Sequence, residues 1–330
     1  MKFQPFIVGS GMSAKAIAKA LSVVNIVEDA VEVAPPIRVQ RNQSLQGLTD
    51  GVENPVLCLG NPHGLHARYV LEGVDAGFDH MVLEKPVCVT LEEVEQLRGV
   101  TADVAVLHGF RQMWGPQTIK EMVARGELGQ LMSIEGRYWQ SSAAEIAVSD
   151  EPPADKTWKG DIALNGRYDT YLDLGTHWTD LVFFLAGEMP KTARQWLSHV
   201  NALADHRDTH NHIYFEFSNF RALGSISKTL HGAGNHLELN VLGQKQAATW
   251  RLQRPDEIEI GRGNVQTYVR RRAGRYGSHQ PPFHGVGWLE GYTEVVRCSL
   301  VRRAGGDAPP PPSLQECLRV VESLLKAESL

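Results

Sequence analysis

An apolar run at residues 3–8, FQPFIV, leads straight into Gly9-Ser10-Gly11-Met12-x-Ala14 and then AKAIAKAL, whose apolar positions have helical spacing. A strand that feeds a glycine turn and opens a helix is the start of a dinucleotide-binding unit. The first two glycines permit a tight turn and let backbone amides approach a pyrophosphate, while Ala14 replaces the third glycine where helix meets strand. An ordinary glycine turn has the same appearance in isolation, so the next hundred residues must decide between the two.

Those residues alternate between strand and helix patterns. PVLCLG (55–60) is a continuous apolar run of the kind a buried parallel strand needs, and Leu65–Asp75 reads as a helix stopped at Gly77. His80–Leu83 is the next strand and ends in Glu84-Lys85-Pro86. Thr90-Leu-Glu-Glu93 has capping-box spacing and starts a helix at Leu91, and Val104–Leu107 closes the series. This pattern predicts a doubly wound parallel sheet in a first domain, residues 1–112. Pro35-Pro36 delays the second strand to IRVQ, which puts Arg41-Asn42 in the turn that selects the nucleotide. NADP is therefore favoured over NAD, with Asp29 the alternative, NAD-selecting carboxylate.

After Pro116 the pattern changes. A helix to Arg125, a strand LMSIEGRYW, a loop over 141–160 and an amphipathic helix over 171–186 precede six strand-like segments from TARQWLSHV to DEIEI. Successive strands with few helices predict a large, open, mostly antiparallel sheet in a second α/β domain, residues 113–330. A Gly- and Arg-containing loop carrying Arg270, Arg271, Arg272 and Arg275 reads as a solvated connection to a helix over 287–303. GGDAPPPP forms a stiff linker, and Ser313-Leu-Gln-Glu316 caps a last helix (313–328) that can pack back on the first domain.

A net charge of -5, with 42% hydrophobic and 22% charged residues, gives no reason to expect a nucleic-acid or membrane partner. The start of the chain has no signal-peptide pattern, no stretch suffices to span a bilayer, and four scattered cysteines form no C-x-x-C pair. The expectation is a cytoplasmic, reduced protein.

GSGMSA, NPHGLH (61–66), LEKPVCVTLEE (83–93), RGELGQLMSIEGRYW (125–139) and DLGTHWTDL (173–181) together resemble the glucose–fructose oxidoreductase/inositol dehydrogenase (Gfo/Idh/MocA) family. The chain departs from it where members often carry a glycine triplet, having Asn165-Gly166-Arg167-Tyr168-Asp169 instead. The resemblance implies an N-terminal Rossmann domain and a C-terminal sheet through which members form homodimers or homotetramers. It also implies that Lys85, Asp173 and His177 are catalytic. The reaction implied is hydride transfer between NAD(P) and a sugar, cyclitol or related polyol. A non-catalytic NAD(P)-sensing regulator and a nicotinamide-dependent glycosidase are the alternatives.

Read as chemistry, Lys85 would orient the reacting oxygen and stabilise negative charge developing on it. His177 is the general acid/base, since an imidazole titrates near neutrality. Asp173 lies one helical turn earlier on the same face and supports it, and Asp169 and Asp180 extend the polar line. The cofactor-binding set is Gly9, Ser10, Gly11, Met12, Arg41, Asn42, Asn61, His63, His66, Glu84 and Lys85. Arg111, Trp139 and Trp158 join Asp173 and His177 as substrate-binding candidates, with ordinary packing the competing account of either tryptophan. The run containing His206, Asp208, His210 and His212 invites a metal hypothesis, but nothing supports a complete ligand set and no metal is assigned.

Overall fold

The computed structural model describes residues 1–40, 42–148, 161–199, 208–272 and 287–330. They fall into two compact units, one of residues 1–112, 162–166 and 288–321, the other of 113–161, 167–287 and 322–330.

The first unit begins with β1 (Lys2–Val8), whose interior positions are buried on both faces, and α1 (Met12–Val27). The second strand is in two pieces, β2 (Glu32–Val33) and β3 (Ile37–Val39), both parallel to β1. The Pro35-Pro36 pair falls between them, because proline supplies no N–H to the ladder. Then come β4 (Pro55–Leu59), α2 (His66–Asp75), β5 (His80–Leu83), α3 (Leu91–Leu97) and β6 (Asp103–Val106). The strands form one parallel sheet in the order β2/β3-β1-β4-β5-β6. A single turn of tighter helix (His63–Leu65) leads into α2, and Gly77 with φ 85° ends the segment behind it. The Thr90 hydroxyl accepts from the Glu93 amide while the Glu93 carboxylate accepts from the Thr90 amide, so the capping box at α3 is complete.

In the second unit α4 (Trp114–Ala124) starts two residues ahead of Pro116, because a proline in the first helical turn removes an N–H that has no partner there anyway. It is followed by β7 (Leu131–Gln140) and a short helix α5 (Ala144–Val148) within the expected loop. After α6 (Ile162–Asn165), which belongs to the first unit, the expected 171–186 helix is two helices, α7 (Thr170–Asp173) and α8 (Gly175–Ala186). The strands β8 (Thr192–Ser198), β9 (His210–Glu216), β10 (Arg221–Ser227), β11 (Asn235–Gly243), β12 (Ala247–Arg251), β13 (Glu257–Arg262) and β14 (Val265–Arg270) complete this part of the chain.

β14 occupies what the sequence presents as loop. It forms a hairpin with β13 through Gly263 at φ 57°, and the basic cluster is partly spent on ion pairs. Arg270 pairs with Glu257 at 3.0 Å and Arg271, buried, pairs with Asp256 at 2.9 Å. The sheet order is β14-β13-β12-β11-β7-β10-β9-β8-β15, antiparallel except for β7–β10 and β8 with the terminal β15 (Glu328–Ser329).

Two further helices return to the first unit, α9 (Trp288–Arg303) and α10 (Leu314–Leu325), the last turn of α10 lying in the second. The sequence pattern assigns α9 to the second domain. Its Tyr292, Val295, Val296 and Leu300 instead share one core with Ala14, Ile17, Leu21 and Val24 of α1. Burying that face removes apolar surface worth about 1.5–3 kcal/mol for each large side chain.

Candidate active site

Gly9 closes the turn after β1. A Cβ there would lie 2.6 Å from the Gly60 carbonyl oxygen, and its φ is 110°, so only glycine fits. Gly60 in turn leaves room for Ala14: a Cβ on Gly60 would be 2.8 Å from the Ala14 amide nitrogen. The tight packing that the third glycine of such turns provides is thus moved to β4. Gly11 differs, for a Cβ built on it meets no atom within 4 Å. It precedes α1 with extended dihedrals, no side chain caps the helix, and the first turn carries no acidic residue. Uncapped amides at a helix start behind a side-chain-free residue fit the pyrophosphate of a dinucleotide. Met12, exposed, and Ser10 flank this cradle.

The Arg38 guanidinium donates to the Gly9 carbonyl at 3.2 Å, so a second cation, unnoticed in the sequence, stands beside the turn. Asn42 is left-handed with φ 66°, and Arg41 lies outside the described residues. Asp29 lies in the turn between α1 and β2, not at the end of the second strand, so it is not the carboxylate that such turns use for a ribose diol.

Past β4, the Asn61 side-chain oxygen is shielded without a partner among the described residues, while its amide donates weakly to the Pro62 carbonyl at 3.4 Å. The His63 ring packs 5.7 Å from that of His66. His66 faces inward. Its Nδ1 is 2.6 Å from the Pro86 carbonyl and its Nε2 2.9 Å from the Asn61 carbonyl. Burial, with the Lys85 ammonium adding to it, outweighs these two carbonyls and lowers the His66 pKa to about 4. His66 therefore supports the turns that carry Asn61 and Lys85.

Glu84 is engaged within the first unit. Its carboxylate accepts from the Tyr292 hydroxyl and, at 2.7 Å, from the Lys85 amide, and so is used inside the unit. Lys85 is buried at the end of β5, and the Lys85–Pro86 peptide is cis. His108, which no sequence motif singles out, is buried in the field of Arg111 and Lys85. Burial first and those charges second hold its pKa well below the usual histidine value.

In the second unit α8 is seated on the sheet by Trp178. Cβ atoms on Gly224 of β10 and Gly136 of β7 would each come within 2.7 Å of the Trp178 ring, so both positions must be bare. The preceding residue, His177, is buried and packs edge-on against Tyr138 of β7 at 5.8 Å. Leu174, between α7 and α8, interrupts the helix between Asp173 and His177, and Asp173 is engaged elsewhere. Its Oδ2 is 2.7 Å from Lys228 Nζ, and Asp169 Oδ1 is 2.6 Å from the same nitrogen. Burial works against the Lys228 charge, but Asp173 and Asp169 outweigh it and hold the ammonium above the ordinary lysine range. Asp208 accepts from the Asp169 amide at 2.8 Å, the Tyr171 amide at 2.5 Å and the Asn211 side chain at 2.6 Å, fixing the start of α7. Burial raises the Asp208 pKa against those donors. Tyr138, buried beside Asp173, is held neutral above its usual range.

Residues 117–249 match the family model of the GFO/IDH/MocA C-terminal domain. Levoglucosan dehydrogenase of Pseudarthrobacter phenanthrenivorans is 22% identical over 302 residues, covering 80% of this chain and 75% of that protein. Over that segment and across its relatives the chain is similar to the Gfo/Idh/MocA family. The NADP(+)-dependent scyllo-inositol 2-dehydrogenase of Bacillus subtilis is 26% identical over 192 residues, 57% of this chain and 48% of its own length. A solved structure of levoglucosan dehydrogenase with NADH and levoglucosan superposes with TM-score 0.81 at 19% identity, covering 98% of this chain and 95% of that one.

The remaining candidates sort by geometry. Arg111 is buried, and its guanidinium pairs with Glu316 of α10 at 2.8 Å, which braces the first unit. Residues alternate along β7, so Tyr138 meets α8 while Trp139 points to the open side of the sheet, where it lines a cavity with Arg137 and Ser225. There its Nε1 donates to Ser225 at 2.9 Å and the Arg137 guanidinium lies 4.6 Å over its ring. Trp158 and His206 lie outside the described residues. His210 and His212 share one face of β9 with ring centres 5.0 Å apart, while Asp208 is occupied at α7. Lys228 belongs to no motif legible in the sequence. A lysine ending an otherwise small and apolar strand, Arg221–Ser227, was the available signal.

Proposed function

We propose that this chain is an NAD(P)-dependent oxidoreductase that moves a hydride between nicotinamide and a C–OH/C=O carbon of a sugar, cyclitol or related small polyol. The observation that supports it most is the cradle at Gly11, where a bare residue precedes uncapped α1 amides. The relatives' names add the substrate class: levoglucosan and scyllo-inositol are both polyhydroxylated rings.

The Gly9–Met12 backbone would hold the pyrophosphate, the Arg41-Asn42 turn the adenosine ribose, and Asn61 and His63 the nicotinamide ribose. Nothing acidic lies between residues 34 and 49, which supports NADP over NAD. When bound, the nicotinamide accepts or donates the hydride. Lys85 orients the reacting oxygen and stabilises the negative charge that grows on it. His177 takes the hydroxyl proton in oxidation and returns it in reduction. Asp173, paired with Lys228, supports that helix as a hydrogen-bond acceptor.

Four free, buried cysteines fit a reducing compartment, which supports a cytoplasmic protein. Among the described residues no helix is long and apolar enough to cross a membrane. Trp196 and Leu223, 46% and 48% exposed on the open face of the sheet, support homodimers or homotetramers through that face.

The test is purified protein with NADP+ or NAD+ and a panel of sugars and cyclitols, monitored by nicotinamide absorbance. Turnover with at least one polyol, faster with NADP+, is expected. Binding of neither nucleotide and no turnover across the panel would refute the reading.

A further inference from the structure

We propose that His210 and His212 form a chelate on β9 for a divalent cation of the zinc class, Zn2+, Cu2+ or Ni2+. Two residues apart on one strand, the two side chains share a face of the second sheet, and the strands on either side fix them in the ladder. His210 is in register with Ser198 of β8 and Ser227 of β10, and His212 with Trp196 and Ser225. The ring centres are 5.0 Å apart and the ring planes are inclined at 66°. That is the spacing a shared cation requires. With a Zn–N bond of about 2.0–2.1 Å, a ring centre lies about 3 Å from the metal, and two of them at a tetrahedral angle are about 5 Å apart. The Trp196 indole, its centre 5.5 Å from that of the His212 ring, packs against that imidazole and limits its rotation.

His210 is half-buried, and burial first, with His212 second, lowers its pKa, so at neutral pH its ring is uncharged and offers a nitrogen to a metal. Asp208, the other candidate ligand of this run, is engaged at α7 and takes no part. Two imidazoles leave the remaining positions of a tetrahedral ion to water. Neutral nitrogen ligands select zinc, copper and nickel, whereas magnesium and calcium require oxygen. Neither histidine belongs to the residues proposed for hydride transfer, so the inference does not rest on that reaction.

The test is calorimetric titration of the full chain, first stripped with a chelator, with ZnCl2, CuCl2 and MgCl2. Wild type is compared with His210→Gln, His212→Gln and the double variant. Wild type should bind about one Zn2+ per chain, and each single variant should bind it at least about tenfold more weakly, because removing one arm of a chelate removes its effective concentration. Cu2+ should bind more tightly than Zn2+, and Mg2+ not at all. Ion binding elsewhere on the chain persists in the double variant and sets the background. Saturating Zn2+ should raise the melting temperature of wild type more than that of the double variant. Electron paramagnetic resonance of wild type carrying less than one Cu2+ per chain depends on no variant and so stands even where a substitution impairs folding. Splitting from two imidazole nitrogens is expected there, and splitting from one or none would overturn the proposal. Wild-type affinity and stoichiometry for Zn2+ in the double variant would mean an adventitious ion only, and the chelate would be refuted. None of these readouts uses turnover, so failure of the polyol reaction would leave them unaffected.

Discussion

His66 Nδ1 lies 2.6 Å from the carbonyl oxygen of Pro86, joining the start of α2 to the turn that carries Lys85. The other ring nitrogen is 2.9 Å from the Asn61 carbonyl, so one side chain spans two loops at the carboxyl ends of β4 and β5. Replacing it with alanine removes the ring's one N–H donor to these carbonyls and leaves a cavity where the ring was. His66→Ala should lose about 2–4 kcal/mol of stability in urea unfolding. Its kcat should fall more than its KM for nucleotide rises. An unchanged unfolding midpoint would show that the buried ring contributes nothing.

Gly9 and Gly11 are bare for different reasons, and substitution separates them. Gly9→Ala forces a Cβ against the Gly60 carbonyl at a φ of 110°, so it should lower the melting temperature markedly. Gly11→Ala meets no protein atom within 4 Å and should melt within about 1 kcal/mol of wild type while binding NADP+ at least about tenfold more weakly. Equal nucleotide affinity in Gly11→Ala and wild type, by fluorescence titration, would remove the cradle from the account.

Buried histidines make stability depend on pH. His80 donates to or accepts from Ser299 at 2.8 Å, and burial lowers its pKa from 6.5 to about 4 against the pull of Asp103, with Arg303 assisting. An unfolded chain takes this proton near pH 6.5, the folded one only near 4, so the unfolded state binds more protons between those values. The stability contributed by the neutral ring is whole above about pH 6.5 and lost as pH falls toward 4, about 3 kcal/mol for this residue. His66 adds a slope of the same sign. His80→Leu should flatten the curve of unfolding free energy against pH in this interval. An unaltered slope would mean that His80 does not titrate as described.

Local signals in the chain were legible where one stretch contains all its own causes. The turn Gly9–Ala14, the Thr90–Glu93 box and the Ser313–Glu316 box are set by residues within three or four positions, and each has the expected form. Contacts made across the sequence were not legible. Nothing near Asp173 announces that its partner is Lys228, and its spacing from His177 suggested one helical face where Leu174 divides two helices. The face of the sheet that Trp139 takes was not legible, because a strand's two faces cannot be told apart before its neighbours are known. The pairing of Arg111 with Glu316 and of Glu84 with Tyr292 was hidden because the partners lie some two hundred residues later. The aromatic and β-branched run at 265–270 was hidden by the arginines around it, two of which are paired to the acids of β13 and its lead-in.

The most direct measurement is turnover by Lys85→Met and His177→Asn beside wild type, with NADP+ and the best polyol of the panel, and nucleotide affinity measured on the same samples. The account predicts a fall in kcat of about 100-fold or more in each variant, with NADP+ affinity within about threefold of wild type. Full activity in both variants would contradict it.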